Sequence, residues 1–271
     1  MTHLRPHRLA ALAALALALL PVAARAQFAT TNIQVLDGWK FHDPTLSEDT
    51  KDGQMSTVTV NHFDAWKYGD NFFFVDMMQG DFKNGDGSVG VKSKLYGEIH
   101  PRLFVNSLTG HQGNTLGIFK NWGIATELNV GHGFQAYLAG LGCDLAVPNG
   151  NFGLNVYYRY TELQVGGFRD YNHTWQVSPF WTFPFELGNV PFLFTGFLDW
   201  DGVKAGKGWK GYEVISQPEL LVDILAPFGG KKNVLYAGVE WYLHYNPNNV
   251  ALGAPSNTIS APQAMIQVNL H

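Results

Sequence analysis

The sequence predicts an all-β chain folded as a single 12-stranded antiparallel transmembrane up-and-down β-barrel. Three observations carry that expectation. The first is segment 91–105, V-K-S-K-L-Y-G-E-I-H-P-R-L-F-V. Side chains alternate across a strand with period two. One face, almost wholly apolar, therefore holds Val91, Ser93, Leu95, Gly97, Ile99, Pro101, Leu103 and Val105, and the other holds Lys92, Lys94, Tyr96, Glu98, His100, Arg102 and Phe104. Hydrocarbon on one side of a wall and water on the other asks for that pattern. The second is recurrence: alternating segments of this kind return along the chain, with no sustained helical period between them. The third is an N-terminus built for export.

In chain order, the expected strands are 33–41, 57–66, 72–78, 91–105, 118–130, 134–145, 152–160, 174–185, 192–200, 212–224, 235–245 and 264–270. The alternation is clean at 152–160, where Phe152, Leu154, Val156, Tyr158 and Tyr160 oppose Asn155, Tyr157 and Arg159. At 134–145 glycines interrupt both faces and leave the phase open. Many of these segments reach the ~9–11 residues needed to cross a bilayer at a tilt. Turn clusters separate them at 68–71, 148–151, 187–189 and 227–230. With both termini on the periplasmic side, these four fall on that side. The longer polar stretches 43–54, 81–90 and 246–262 fall outside. Two connections depart from the rule: 106–117 is long yet periplasmic, and 131–133 is short yet external.

Arg5 and Arg8 precede an Ala/Leu run at 9–20, and Ala24-Arg25-Ala26 ends it with small residues where a signal peptidase reads. The run is too short for a transmembrane helix, which needs roughly 20 apolar residues. Residues 1–26 are expected to be a cleaved secretory signal peptide, with 27–271 the barrel, exported through the periplasm to the outer membrane of a Gram-negative bacterium. The formal net charge of −4 becomes more negative once Arg5, Arg8 and Arg25 are removed, which argues against nucleic acid as a partner. A mean hydropathy of −0.08 suits a barrel, because polar lumen residues cancel apolar lipid-facing ones. Cys143 stands alone, which rules out an internal disulfide and a cysteine-based zinc site.

Glu98-Ile99-His100-Pro101-Arg102-Leu103, then Leu108-Thr109, then Gly117-Ile118-Phe119-Lys120-Asn121-Trp122 and Ala125 follow one another in order. This run resembles the E-I-x-P-R … L-T … G-x-F-K-x-W … A pattern of the Tsx-type nucleoside-specific channel-forming outer-membrane proteins. The hairpin at 66–76 resembles the one that precedes it in those sequences. The resemblance implies a monomeric twelve-stranded barrel with a narrow lumen, in which nucleosides meet lumen-facing aromatics flanked by ionisable groups. It also implies outer-membrane lipid and the barrel-assembly machinery as partners, no cofactor, and passive diffusion in place of catalysis.

On the strand phases above, Phe63, Phe74, Asp76, Lys94, Tyr96, Glu98, Arg102, Tyr157, Arg159, Glu240 and Tyr242 are the candidate substrate-binding residues. A nucleobase has a π face that stacks on an aromatic ring for about 1–3 kcal/mol, and a ribose has hydroxyls that donate to carboxylates. The competing reading for Glu98, Arg102, Glu127 and Arg159 is structural, since arginine's planar fork pairs with carboxylates of neighbouring strands. Phe104, Tyr236 and the other lumen rings have a similar alternative as bore filling. Gly85-Asp86-Gly87-Ser88-Val89-Gly90 fits G-x-G-x-x-G by letters, but a strand follows it where the dinucleotide motif needs a helix, so it reads as a hairpin loop. Two rival functions remain at this point. One is a barrel hydrolase, for which His62 with Asp64, or Ser88 with a distant histidine, are the only hints. The other is a soluble ligand-binding β-sandwich, whose apolar faces would be buried in one core.

Overall fold

The computed structural model describes residues 26–110, 118–165, 168–203 and 211–270, apart from the side chains of 164–170. The proposed signal peptide and His271 lie outside the described residues. The wall is built from β1 (Phe28–Gly38), β4 (Met55–Trp66), β5 (Gly69–Gln79), β6 (Ser93–Phe104), β7 (Phe119–Gly131), β8 (Phe134–Leu145), β9 (Asn151–Val165), β10 (Phe168–Leu187), β11 (Val190–Val203), β12 (Gly211–Ser216), β13 (Glu219–Asp223), β14 (Leu235–Tyr245) and β15 (Thr258–Leu270). Neighbouring wall strands pair antiparallel, with β12 and β13 each pairing with β11 and β14, and β1 pairs with β15 from Thr31↔Leu270 to Gly38↔Gln263, which closes the sheet on itself. A closed barrel leaves no unpaired edge, and hydrocarbon tolerates none.

β12 and β13 form one wall strand with an interruption, so the wall has the twelve strands that the alternation predicts. The cause of the break is Pro218, which has no N–H to give the ladder. The neighbouring strand adapts at Gly196, whose φ of 143° suits glycine and where a Cβ would meet the Gln217 carbonyl oxygen at 2.5 Å. The phase survives the break: Glu213 and Ile215 on β12 and Glu219, Leu221 and Asp223 on β13 all face the lumen, as their registers against β11 and β14 require.

Burial is inverted relative to a soluble protein. Leu141 on β8, Leu95 on β6 and Tyr158 on β9 are 70 %, 63 % and 58 % exposed, while Gln176, Glu127 and Gln34 are 0 %, 2 % and 4 % exposed. This overturns the sandwich reading, because the apolar faces point away from the interior and do not share a core. The open phase of β8 is settled by its register: Leu138 faces Glu127 and Arg159, so the even positions Phe134 to Asp144 point inward. Aromatic side chains ring the outside of the wall from β8 to β14. Tyr160 contacts Tyr137, Tyr171 and His173, and Trp175, Trp200, Tyr212 and Tyr245 continue the band. Such girdles mark membrane interfaces.

The end opposite the termini carries the connections 39–54, 80–92 and 246–257, the longest there among the described residues, and faces outward on the length rule. The 131–133 connection there is a tight turn with Gly133 at φ 71°. At the terminus side the long connection begins with a helical turn, Val105–Leu108, and continues through 111–117, which lie outside the described residues.

The stretch 43–54 lies at the end opposite the termini, the side on which the sequence expects it, but it is not clear of the bore. It forms a small hairpin, β2 (His42–Asp43) with β3 (Glu48–Asp49), folded back onto lumen-facing wall residues. The reason is local chemistry: Phe41 and Phe82 from two loops pack with Met55, Met78, Tyr242, Ile259 and Ala261 into an apolar cluster in the mouth. Asp43 then finds two wall donors inside the bore.

Candidate functional site in the barrel lumen

All eleven residues expected to bind solute face the lumen, as the strand registers place them. They do not form one site. The structure separates them into braces, a mouth cluster and an accessible wall.

Arg102 is a brace. Its guanidinium pairs with both oxygens of Asp70 on the adjacent β5 and with Asp144 Oδ1 on β8 at 2.8 Å, and lies over the rings of Phe104 at 5.2 Å and Phe180 at 4.9 Å. Small residues make room for this assembly. The Phe180 ring covers Gly153, where a Cβ would come within 1.9 Å of it. Arg159 is a second brace, bonded to Asp201 of β11 and to Gln176 Oε1 of β10 at 2.6 Å. Tyr157 packs among Ala125, Ala136 and Leu138 and is buried. Glu240 accepts a hydrogen bond from Gln263. Phe63 lies near the inner end, with Phe28 at 6.2 Å between ring centres.

The mouth cluster joins loop and wall. Asp43 accepts from the Tyr242 hydroxyl at 2.7 Å and pairs with His244, whose other nitrogen lies 3.2 Å from Glu213. Thr45 donates to Asn249 at 2.6 Å, and Lys94 donates to the Ser47 carbonyl while lying 4.2 Å over the Phe82 ring. Burial acts to raise the Asp43 carboxyl, but the hydrogen bond and charge of His244, with Tyr242 and Thr45, outweigh it and hold Asp43 below the usual carboxylate range. For Glu48 the hydrogen bond from Tyr242 and the charge of His244 act to lower the carboxyl but are outweighed. Burial first, and the nearby Asp43 charge second, push its carboxyl up to about 8.

The accessible wall contains Phe74, Asp76, Tyr96 and Glu98, joined by Phe72 and Phe134, and all are half-buried. Phe72, Phe74, Tyr96 and Phe134 follow one another with ring centres 6.0, 5.9 and 6.5 Å apart. Asp76 sits beside Phe74 on β5 and across from Tyr96, and accepts from Thr59 at 2.6 Å. Glu98 accepts from the Tyr96 hydroxyl and contacts His100 Nε2 at 2.7 Å. Glu98 thus bonds along its own strand, whereas the sequence reading looked for a partner on a neighbouring one. The guanidinium of Arg159 lies 5.9 Å from the Phe134 ring centre.

Phe72, His100 and Phe134 are additions that the sequence reading did not place among the binding residues. Phe72 shares the parity of Phe74 and was within reach. Phe134 belongs to the strand whose phase the glycines hid. Asp43 and Glu48 carried no signal, since nothing in a polar loop says that it folds inward. The hydrolase constellation is not assembled: Ser88 donates to Asp86 in the 80–92 loop, while His62 and Asp64 pair at 3.5 Å on the outward face of β4 towards the opposite end.

A closed barrel with lipid-facing apolar positions outside and a polar, charged interior defines an outer-membrane channel. The chain belongs to the family described as nucleoside-specific channel-forming protein, Tsx, whose pattern matches residues 45–206. No curated protein matches the chain. Among solved structures, it is similar to a NanC porin (11 % identity, TM-score 0.49, covering 88 % of this chain and 99 % of that one). It is also similar to a KdgM porin (9 % identity, TM-score 0.44, covering 89 % and 99 %).

Proposed function

We propose that the channel passes nucleosides by passive diffusion, and that the wall formed by Phe72, Phe74, Tyr96 and Phe134 is the surface on which they move. The single observation that supports this is the pairing of half-buried aromatic faces in series with the carboxylates of Asp76 and Glu98. A base stacks on one ring and passes to the next. The ribose hydroxyls donate to Asp76 or Glu98, which are acceptors when ionised. Stacking contributes about 1–3 kcal/mol per base. That is enough for capture and too little to stall release, as a channel requires.

Other lumen residues do different work. Arg102, Arg159 and Tyr157 hold the barrel's shape, and Lys94, Tyr242 and Glu240 set the mouth and the wall beneath it. The test is uptake of labelled uridine and of labelled ribose into liposomes carrying the purified protein. Uridine is expected to enter faster than ribose despite its larger size. Phe74→Ala and Tyr96→Ala are expected to remove that advantage and leave ribose entry unchanged or raised. Equal reduction of both solutes by these variants would assign the rings to bore shape alone.

A further inference from the structure

We propose that Glu98, His100 and Glu127 form a binding site in the lumen for one divalent transition-metal cation of the zinc type. His100 stands between the two carboxylates. Its Nε2 lies 2.7 Å from Glu98 Oε2 and its Nδ1 lies 3.2 Å from Glu127 Oε2. One ligand atom from each residue falls within 4.8 Å of the others, a spread that small movements of the side chains reduce to a first coordination shell. The three sit on adjacent strands: Glu98 and His100 share the inward face of β6, and Glu127 projects from β7 at the level of His100, between the pairs Glu98↔Asn129 and Arg102↔Ala125.

A salt bridge alone leaves two observations unexplained. Glu127 is 2 % exposed, yet its Oε1 has no hydrogen-bond partner. Asn129, directly across from Glu98, is 3 % exposed, and its Oδ1 is likewise without one. Buried oxygens of this kind normally have partners. The charges point the same way. An imidazolium between two carboxylates leaves the group one charge negative, and Arg159 is already committed to Asp201 and Gln176. A dication with neutral imidazole balances both carboxylates. On binding, the ring nitrogen that becomes the ligand gives its proton to solvent. One nitrogen and two carboxylate oxygens suit zinc-type ions and leave a position for water, whereas calcium and magnesium favour all-oxygen sets. The Tyr96 hydroxyl on Glu98 Oε1 orients that ligand from outside the shell.

The experiment uses the full-length folded protein without an affinity tag, treated with chelator and titrated with Co²⁺ while visible absorption is recorded. The expected result is saturable binding of one equivalent with ligand-field bands that Zn²⁺ removes. Glu127→Gln and His100→Gln are each expected to weaken binding at least about tenfold, while His62→Gln leaves it unchanged. Absence of saturable binding, or equal binding in all three variants, overturns the proposal. Should the two site variants fail to fold, modification of wild-type His100 by diethyl pyrocarbonate decides the matter: protection by Zn²⁺ is expected, and full modification in its presence overturns the site. Glu127 has no part in the aromatic wall, so uridine uptake by Glu127→Gln is expected to persist. Failure of the metal site therefore leaves the nucleoside reading standing, and the reverse also holds.

Discussion

Arg102 shows how one residue serves two readings until its surroundings are known. From the sequence it is one of several charges on the inward face of a strand, equally suited to touching solute or to pinning the wall. The structure encloses it between Phe104 and Phe180 and gives its donors to Asp70 and Asp144. Removing one partner of a buried ion pair leaves uncompensated charge and costs about 3–5 kcal/mol. Arg102→Ala is expected to lower the barrel's unfolding free energy by about that amount in urea titrations monitored by tryptophan fluorescence in lipid vesicles. The triple variant Arg102→Met, Asp70→Asn, Asp144→Asn is expected to recover most of the loss. A triple variant as unstable as the single one would show that the pairing is not what the site contributes. Phe74 and Tyr96 were legible from alternation because their strands have one clean phase. Phe134 was not, since small residues on both faces of β8 erase the signal that the register later supplies.

At the scale of elements, the strands were far more legible than the loops. Segments 134–145 and 235–245 coincide with β8 and β14 at both ends. The physical reason is that each residue of a membrane wall faces either lipid or water, so composition reports facing directly. Loops answer to no such rule. The β2–β3 hairpin enters the mouth because a few specific bonds hold it there, above all Asp43 to His244 and Tyr242. Its docking is expected to depend on pH with a definite sign. Free of the bore, Glu48 titrates near the ordinary value of 4.5, and docked it holds its proton up to about 8. Between those values the undocked state loses a proton that the docked state keeps, so docking weakens as pH rises through this window. Asp43 acts oppositely: its carboxyl is held low, so its contribution is present above the ordinary carboxylate range and is lost as pH falls through the docked value. Docking is therefore strongest at mildly acidic pH. Single-channel conductance is expected to rise between pH 5.5 and pH 9, and Glu48→Gln is expected to flatten that rise. A wild-type conductance independent of pH would show that the hairpin does not leave the mouth in this range.

For the whole molecule, the inversion of burial is the property from which the rest follows. Outside, aliphatic and aromatic faces meet lipid. Inside, carboxylates outnumber cations among the described residues, and Asp76, Glu219 and Glu240 have no lysine or arginine paired to them. An acidic bore concentrates cations, so a potassium chloride gradient across a bilayer is expected to give a reversal potential on the potassium side. A reversal potential at or beyond zero towards chloride would mean that the unpaired carboxylates do not face the conducting path. The twelve-strand count and the inward set are legible in the sequence, since both rest on period-two alternation. Which inward residues a solute can reach is not, because reach depends on partners across the bore. Glu240 meets Gln263, Arg159 meets Asp201, and neither contact is local in sequence. The proposed nucleoside path runs along the aromatic wall of Phe72, Phe74, Tyr96 and Phe134. The most direct measurement is ion current through the purified channel in a planar bilayer as nucleoside is added. Reversible block by millimolar nucleoside is expected, weakened in Phe74→Ala and Tyr96→Ala; a current unchanged by nucleoside in the wild-type channel would rule that path out.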